Sequence, residues 1–223
     1  MFIGHLAVAF AAKRAAPAVS LGTMILSCQL ADLLWPTLVL LGIERVSIVP
    51  GITVVTPLNF EFYPYSHSLL MLTVWAIVAA GVCRVARASA TTTALLVIAG
   101  VVLSHWVLDV ASHRPDVPLW PGSETKLGLG LWSSRPATIA VEAVMLVGGL
   151  MMYLRMTAAR DRIGTYALWS LVAFLVVVNL ANMFGPPPPS EAAVAWSAQA
   201  IWLLVAWGYW IDRHRSAIVP GRL

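Results

Sequence analysis

Three ionisable residues recur at helical spacing near the middle of the chain. His105, Asp109 and His113 follow one another every fourth residue, so on an α-helix they form one stripe whose members lie about 6 Å apart along the axis. A His and an Asp one turn apart can bind a single metal ion. His113 would lie about 12 Å from His105 along that axis, so it needs a second ion, a helix end that unwinds, or another role.

More ionisable residues lie inside or beside other apolar runs, namely His5, Asp32, His67 and Glu142. An ionisable group within a membrane span costs about 2.5 to 3.5 kcal/mol on insertion scales, which makes each of them a candidate functional residue. Taken singly, such a residue is as often an interhelical hydrogen-bond partner as a ligand. The combination of His67 with His105 and Asp109 favours a shared polar site.

Ligands of this kind indicate a particular chemistry. His and carboxylate ligands without a thiolate favour zinc, or else manganese or iron, over a soft metal. Such an ion lowers the pKa of bound water to about 7 and polarises a phosphoryl oxygen, which is the chemistry of phosphoester hydrolysis. Lys126 and Arg135 lie in the loop after the His105 segment, where they could bind a phosphate or serve as ordinary headgroup anchors.

The composition shows what kind of protein must position these residues. The chain has 223 residues, of which 60% are hydrophobic and only 11% charged, against roughly 45 to 50% and about 25% in a soluble domain. This excludes a water-soluble enzyme, a disordered chain and a coiled coil. The net charge of +4 comes from basic residues at the ends of apolar runs, which is typical of membrane anchoring and not of nucleic-acid binding.

Long apolar runs predict an all-α integral membrane protein of one domain. Six spans are expected at residues 19–43, 66–87, 92–112, 137–157, 163–184 and 192–211. The first apolar segment, residues 2–12, is too short to span and is expected to form a re-entrant or interfacial helix. Residues 1–136 would then carry the metal site, residues 137–211 would add further helices, and residues 212–223 would form a cytoplasmic tail.

The distribution of basic residues predicts the orientation. Ten of the 14 Lys and Arg residues fall on one side of the predicted spans and four on the other, which places both termini in the cytoplasm by the positive-inside rule. The loops at about 44–65 and 113–136 then face outward. Helix rise places His67, His105, Asp109 and Glu142 toward the outer leaflet, with His5 and Asp32 nearer the midplane.

Several short segments carry a resemblance to a known family. They are Gly4 to Ala7, Ala31 to Leu33, Tyr65 to Leu70, and Ser104 through Asp109 to Pro121. Over residues 2–136 the chain resembles the membrane-bound metal-dependent hydrolases, also called the LexA-binding inner-membrane-associated hydrolase family. That family is related to zinc-dependent phospholipase C, in which a His-x-x-x-Asp pair on a helix helps to hold a zinc cluster.

The resemblance implies a bacterial-type inner membrane and one or more zinc ions bound by His5, Asp32, His67, His105 and Asp109. His113 is added as a further candidate ligand, and Asp109 and Glu142 are the candidate catalytic residues. We therefore expect a hydrolase that acts on a phosphoester of a membrane lipid or lipid-linked substrate from the outer leaflet.

Two other classes of protein fit part of the pattern. A transporter or channel also uses intramembrane His, Asp and Glu, but the spans show no inverted repeat and the cluster is expected in one leaflet only. A membrane scaffold fits the scattered tryptophans and the Gly148–Gly149 pair, but it leaves the clustered histidines unexplained.

Overall fold

The structure is a computed structural model that describes residues 1–218. Its helices are α1 (Phe2–Ala12), α2 (Leu21–Cys28), α3 (Leu30–Leu40), α4 (Pro64–His67), α5 (Leu69–Ala86), α6 (Thr92–Ser112), α7 (Arg135–Met156), α8 (Arg162–Phe184), α9 (Glu191–Ala198) and α10 (Ile201–Arg213). Its short strands are β1 (Arg45–Ile48), β2 (Leu58–Phe62), β3 (Val117–Pro118), β4 (Lys126–Leu127), β5 (Thr157–Ala159) and β6 (Arg215–Ala217). The strands form three two-stranded antiparallel pairs in chain order, β1 with β2, β3 with β4, and β5 with β6.

Helices long and apolar enough to cross a membrane dominate residues 1–218. Five satisfy both conditions, namely α5, α6, α7, α8 and the combined segment of α9 and α10 from Glu191 to Arg213. The bent pair formed by α2 and α3 would be a sixth. The predicted class, a nearly all-α multi-pass membrane protein with an additional short N-terminal helix, is confirmed.

The first predicted span is broken in its middle. At Gln29 the backbone leaves the helical region (φ −103°, ψ 9°), and α2 and α3 meet at an angle of 53°. A continuous helix over residues 19–43 is therefore not what forms. The break starts a new helix and places Asp32 in its first turn, where the partial positive charge of a helix N-terminus favours a carboxylate.

The second predicted span also begins later than expected. Ser68 has an extended backbone and its Oγ accepts a hydrogen bond from the backbone N–H of Met71 (3.2 Å), which caps α5. The preceding turn, α4, is a separate element that starts with Pro64 at a position where proline costs no helical hydrogen bond. His67 therefore lies on its own turn, before the span.

The N-terminal helix α1 lies inside the bundle. His5, Leu6, Ala9 and Phe10 are all buried, and α1 packs against α2, α6 and α7. A Cβ atom at Gly149 of α7 would clash with the carbonyl oxygen of Ala7, so the two helices approach to backbone contact. This packing holds His5 at a fixed depth.

The two ends of the bundle differ in their connections. The segments at 44–65 and 113–136 carry the β1–β2 and β3–β4 pairs near the His-rich end. At the other end β6 pairs with β5, which joins α7 to α8. The predicted tail thus begins as the end of α10 and continues as a strand, whereas Arg222, counted above among the basic residues, lies outside the described residues.

Candidate metal centre

Residues from four separate elements meet at one point. His5 of α1, Asp32 of α3, His67 of α4, and His105 and Asp109 of α6 form two overlapping triads. One triad is His5, His105 and Asp109, and the other is Asp32, His67 and His105. Within each triad, one ligand atom per residue lies within 4.8 Å of the other two. Such a group, buried apart from half-buried Asp32, can hold a metal ion.

Asp109 is the centre of the cluster. Its Oδ1 lies 3.1 Å from His5 Nε2, and its Oδ2 lies 3.2 Å from His105 Nε2 and 3.9 Å from His67 Nε2. Asp32 Oδ1 lies 3.4 Å from His67 Nε2 and 3.8 Å from His105 Nε2. The rings of His5 and His105 stack in parallel, with their centroids 3.8 Å apart. Three imidazole Nε2 atoms thus face two carboxylates.

The broken first span orients His105. Its Nδ1 lies 2.7 Å from the backbone carbonyl oxygen of Cys28, at the end of α2. A carbonyl only accepts hydrogen bonds, so Nδ1 carries the proton and donates. In the neutral ring the Nε2 lone pair then faces the carboxylates, and this is the tautomer that a metal ligand requires.

A hydrogen-bond chain orients His67 in the same way. Glu44 Oε1 accepts hydrogen bonds from the backbone N–H groups of Tyr65 (2.8 Å) and Ser66 (2.9 Å). Glu44 Oε2 accepts from the Ser66 hydroxyl (2.6 Å). The Ser66 oxygen lies 2.7 Å from His67 Nδ1 and, since its own proton points to the carboxylate, it accepts from Nδ1–H. In the neutral tautomer that this hydrogen bond selects, the lone pair of His67 is on Nε2, where it can bind a metal ion.

His113 lies where the α6 helix unwinds. Its backbone is extended (φ −70°, ψ 156°), which brings Nε2 to 3.8 Å from Asp109 Oδ1. Its Nδ1 donates to Asp116 Oδ1 (3.0 Å), which also accepts from the Tyr63 hydroxyl (3.1 Å). Burial, and then the Asp116 charge, raise the pKa of Tyr63 well above its ordinary value, so the hydroxyl stays a donor. Arg114 Nε completes the network at 3.1 Å from Asp116 Oδ2.

The remaining predicted residues divide between the site and the surface. Glu142 is buried beside the cluster, and its Oε2 has no hydrogen-bond partner among residues 1–218. Arg135 lines the same cavity, with its guanidinium 5.4 Å from the centre of the Phe184 ring. Lys126, in β4, is exposed and lies away from the cavity. The structure therefore brings Glu142 and Arg135, but not Lys126, to the candidate site.

The cluster borders a cavity of about 840 Å³. His5, Asp32, His67, Asp109 and His113 contribute to its wall. Much of the rest is apolar and comes from α3, α8, α10 and the loop at 50–58, including Trp35, Phe174, Leu204 and Trp207. Polar ligands are thus joined to a space that can accept hydrocarbon.

Four supporting residues were not predicted from the sequence, namely Glu44, Tyr63, Ser66 and Asp116. Asp116 follows His113 by three residues, and that spacing is a local signal that could have identified it. Glu44 has no such signal, because the turn that it holds is more than 20 residues further along the chain. The backbone nitrogen of Met1 also lies 3.2 Å from Asp109 Oδ1.

No family model, curated protein or solved structure matches the chain. The function must therefore be inferred from the geometry of the site. The features that a function has to use are three imidazoles, two of them oriented by hydrogen bonds at Nδ1, two carboxylates, an unpartnered carboxylate oxygen and an apolar cavity.

Proposed function

We propose that the chain is a membrane-embedded, metal-dependent hydrolase of a phosphoester in a lipid or lipid-linked substrate. The observation that carries the proposal is the convergence of His Nε2 atoms on Asp32 and Asp109 in the wall of a largely apolar cavity. The resemblance to inner-membrane metal-dependent hydrolases supports it. The positive-inside rule further favours cytoplasmic termini and a site that faces the outer leaflet of a bacterial-type inner membrane.

The proposed ligands are His5, Asp32, His67, His105 and Asp109, with zinc as the favoured ion. Both triads use His105 Nε2, and one nitrogen binds one ion. The two triads are therefore either alternative positions for one ion, or parts of a site for two ions. In a site for two ions, His105 would bind one of them and Asp109 alone would contact both. Because its two carboxylate oxygens face different histidines, Asp109 is suited to bridging two ions.

A bound zinc ion would supply an activated water and polarise a phosphoryl oxygen. Hydrolysis would add a water oxygen to phosphorus and break the bond from phosphorus to the leaving oxygen, and the proton that the water loses would pass by way of Glu142 to that leaving oxygen. Glu142, with an unpartnered Oε2 in the cavity, is placed to accept the proton of the water. Arg135 is placed to bind the phosphate, and the apolar wall would hold the hydrocarbon of the substrate.

Elemental analysis of the purified chain, combined with an assay of phosphate and diacylglycerol release from a bacterial lipid extract, tests the proposal. We expect about one or two zinc ions per chain, and loss of both metal and product release in His105→Ala. His214→Ala is the matched control, because His214 lies at the other end of the bundle, beside Asp161.

Two results would contradict the proposal. One is a wild-type chain that contains no metal and takes up none when zinc, manganese or iron is added. The other is a metal-loaded chain that releases no product but carries an ion flux in proteoliposomes that Asp109→Asn abolishes. That result would favour a transporter.

A further inference from the structure

A second cavity lies at the end of the bundle opposite to the His and Asp cluster. Its volume is about 310 Å³, and its wall includes the basic residues Lys13, Arg87, Arg160 and Arg215. Helix α7 begins at the first cavity and ends where β5 borders the second. The two cavities share no lining residue, and Lys13 of the second cavity lies eight residues along the chain from His5 of the metal centre, or about 12 Å in helix rise. The second cavity is therefore not part of the candidate metal centre.

The two buried basic side chains are held mainly by neutral groups. Lys13 Nζ donates to the carbonyl oxygen of Val19 (2.6 Å). Arg215 donates to the carbonyl oxygens of Thr157 (3.0 Å) and Gly164 (3.1 Å). Carbonyl oxygens satisfy hydrogen-bond donors without cancelling a full positive charge. These contacts therefore leave the positive charge of Arg215 uncancelled at the floor of the cavity, whereas burial lowers the pKa of Lys13 beside it.

One carboxylate, Asp212, is found among the described lining residues, and it lies 3.7 Å from Lys13 Nζ. Arg87 and Arg160, at the exposed rim, have no carboxylate within 4.0 Å among residues 1–218. Four positive charges therefore face one negative charge. Arg guanidinium groups present planar pairs of donors that match phosphate oxygens.

We propose that this cavity binds a phosphate-bearing anion, through Arg87 and Arg160 at the rim and the charges of Lys13 and Arg215 at the floor. The phosphate could belong to the headgroup of an anionic lipid or to free inorganic phosphate. The proposal is independent of the hydrolase function, because it uses none of the residues of the metal centre.

The experiment compares two double variants of equal charge in the full-length chain. Arg87→Gln with Arg160→Gln removes the exposed rim and leaves the buried contacts of Lys13 and Arg215 intact. Arg155→Gln with Arg162→Gln is the control, since both arginines are exposed near the same end of the bundle but do not line the cavity. Native mass spectrometry measures binding of phosphatidylglycerol against phosphatidylcholine, and isothermal titration calorimetry measures binding of inorganic phosphate.

Selective binding of phosphatidylglycerol, weakened at least about tenfold in the rim variant and unchanged in the control, supports the proposal with a lipid as the source. The same pattern with inorganic phosphate supports it with a soluble source. Equal weakening in both variants would overturn the proposal, because general surface charge would then explain binding. The proposal would also be overturned if the wild-type chain neither binds inorganic phosphate nor prefers phosphatidylglycerol to phosphatidylcholine.

Discussion

Replacing Glu44 by Gln should change the position of a proton on His67 without removing any side chain from the metal centre. The Gln oxygen can still accept the two backbone N–H groups that Glu44 Oε1 accepts. The amide NH₂ would take the place of Oε2, which is 2.6 Å from the Ser66 hydroxyl. An NH₂ group only donates, so Ser66 must turn its own proton to another acceptor, and His67 Nδ1 (2.7 Å) is closer than the carbonyl oxygen of Tyr63 (3.4 Å).

The consequence falls on the other nitrogen of the ring. If Nδ1 accepts a hydrogen bond from the Ser66 hydroxyl, the neutral imidazole carries its own hydrogen on Nε2. Nε2 is the atom that lies 3.4 Å from Asp32 Oδ1. That atom can then no longer donate a lone pair to a metal ion. Loss of such a supporting contact typically lowers metal affinity about 10-fold to 100-fold, which corresponds to about 1.4 to 2.7 kcal/mol.

Competition for zinc with a chromophoric chelator measures this change. Glu61→Gln is the matched control, because Glu61 is an exposed glutamate on β2. Ser66→Ala should weaken binding less than Glu44→Gln, since the free Nδ1 can still carry the proton. A folded Glu44→Gln chain with wild-type zinc affinity would refute the proton-position argument, and so would a larger loss in Ser66→Ala.

Two further predictions concern stability. Gly149→Ala should destabilise the fold by about 1 to 3 kcal/mol, because its Cβ would press on the carbonyl of Ala7. Thermal unfolding in detergent should show little change for Gly148→Ala, where no described residue lies within 4 Å of the added Cβ. The hydrogen bond from His214 lowers the pKa of Asp161. This hydrogen bond therefore stabilises the fold fully at a pH above the ordinary Asp pKa, and the stabilisation is lost as the pH falls through the lowered pKa. The difference in melting temperature between the wild-type chain and Asp161→Asn should therefore shrink on acidification, and a gap that widens would contradict this.

The sequence predicts the parts of the site that depend on local periodicity. The i, i+4 spacing of His105 and Asp109 and the starting points of the spans lead to a common depth for them and His67. In the structure, His105 Nε2 and His67 Nε2 lie 3.2 Å and 3.9 Å from Asp109 Oδ2. Depth in a bilayer follows from helix rise, so it can be read without tertiary information.

Contacts between distant segments were beyond such reasoning. His105 and Cys28 are 77 residues apart, and neither residue type identifies a backbone carbonyl as the partner. The break at Gln29 has no local signal either. The proline of that segment, Pro36, lies inside α3. A rule that places helix bends at proline would therefore place this bend within α3 and not at Gln29.

The carbonyl of Cys28 has a consequence for how the site tolerates substitution. Every residue type at position 28 supplies the same backbone oxygen, so no single side-chain replacement there can delete the acceptor of His105 Nδ1–H. His67 depends instead on two side chains, Ser66 and Glu44, each of which one substitution can remove. Within one centre, no substitution at position 28 removes the hydrogen bond that orients His105, whereas a single substitution of Ser66 or Glu44 removes a hydrogen bond that orients His67.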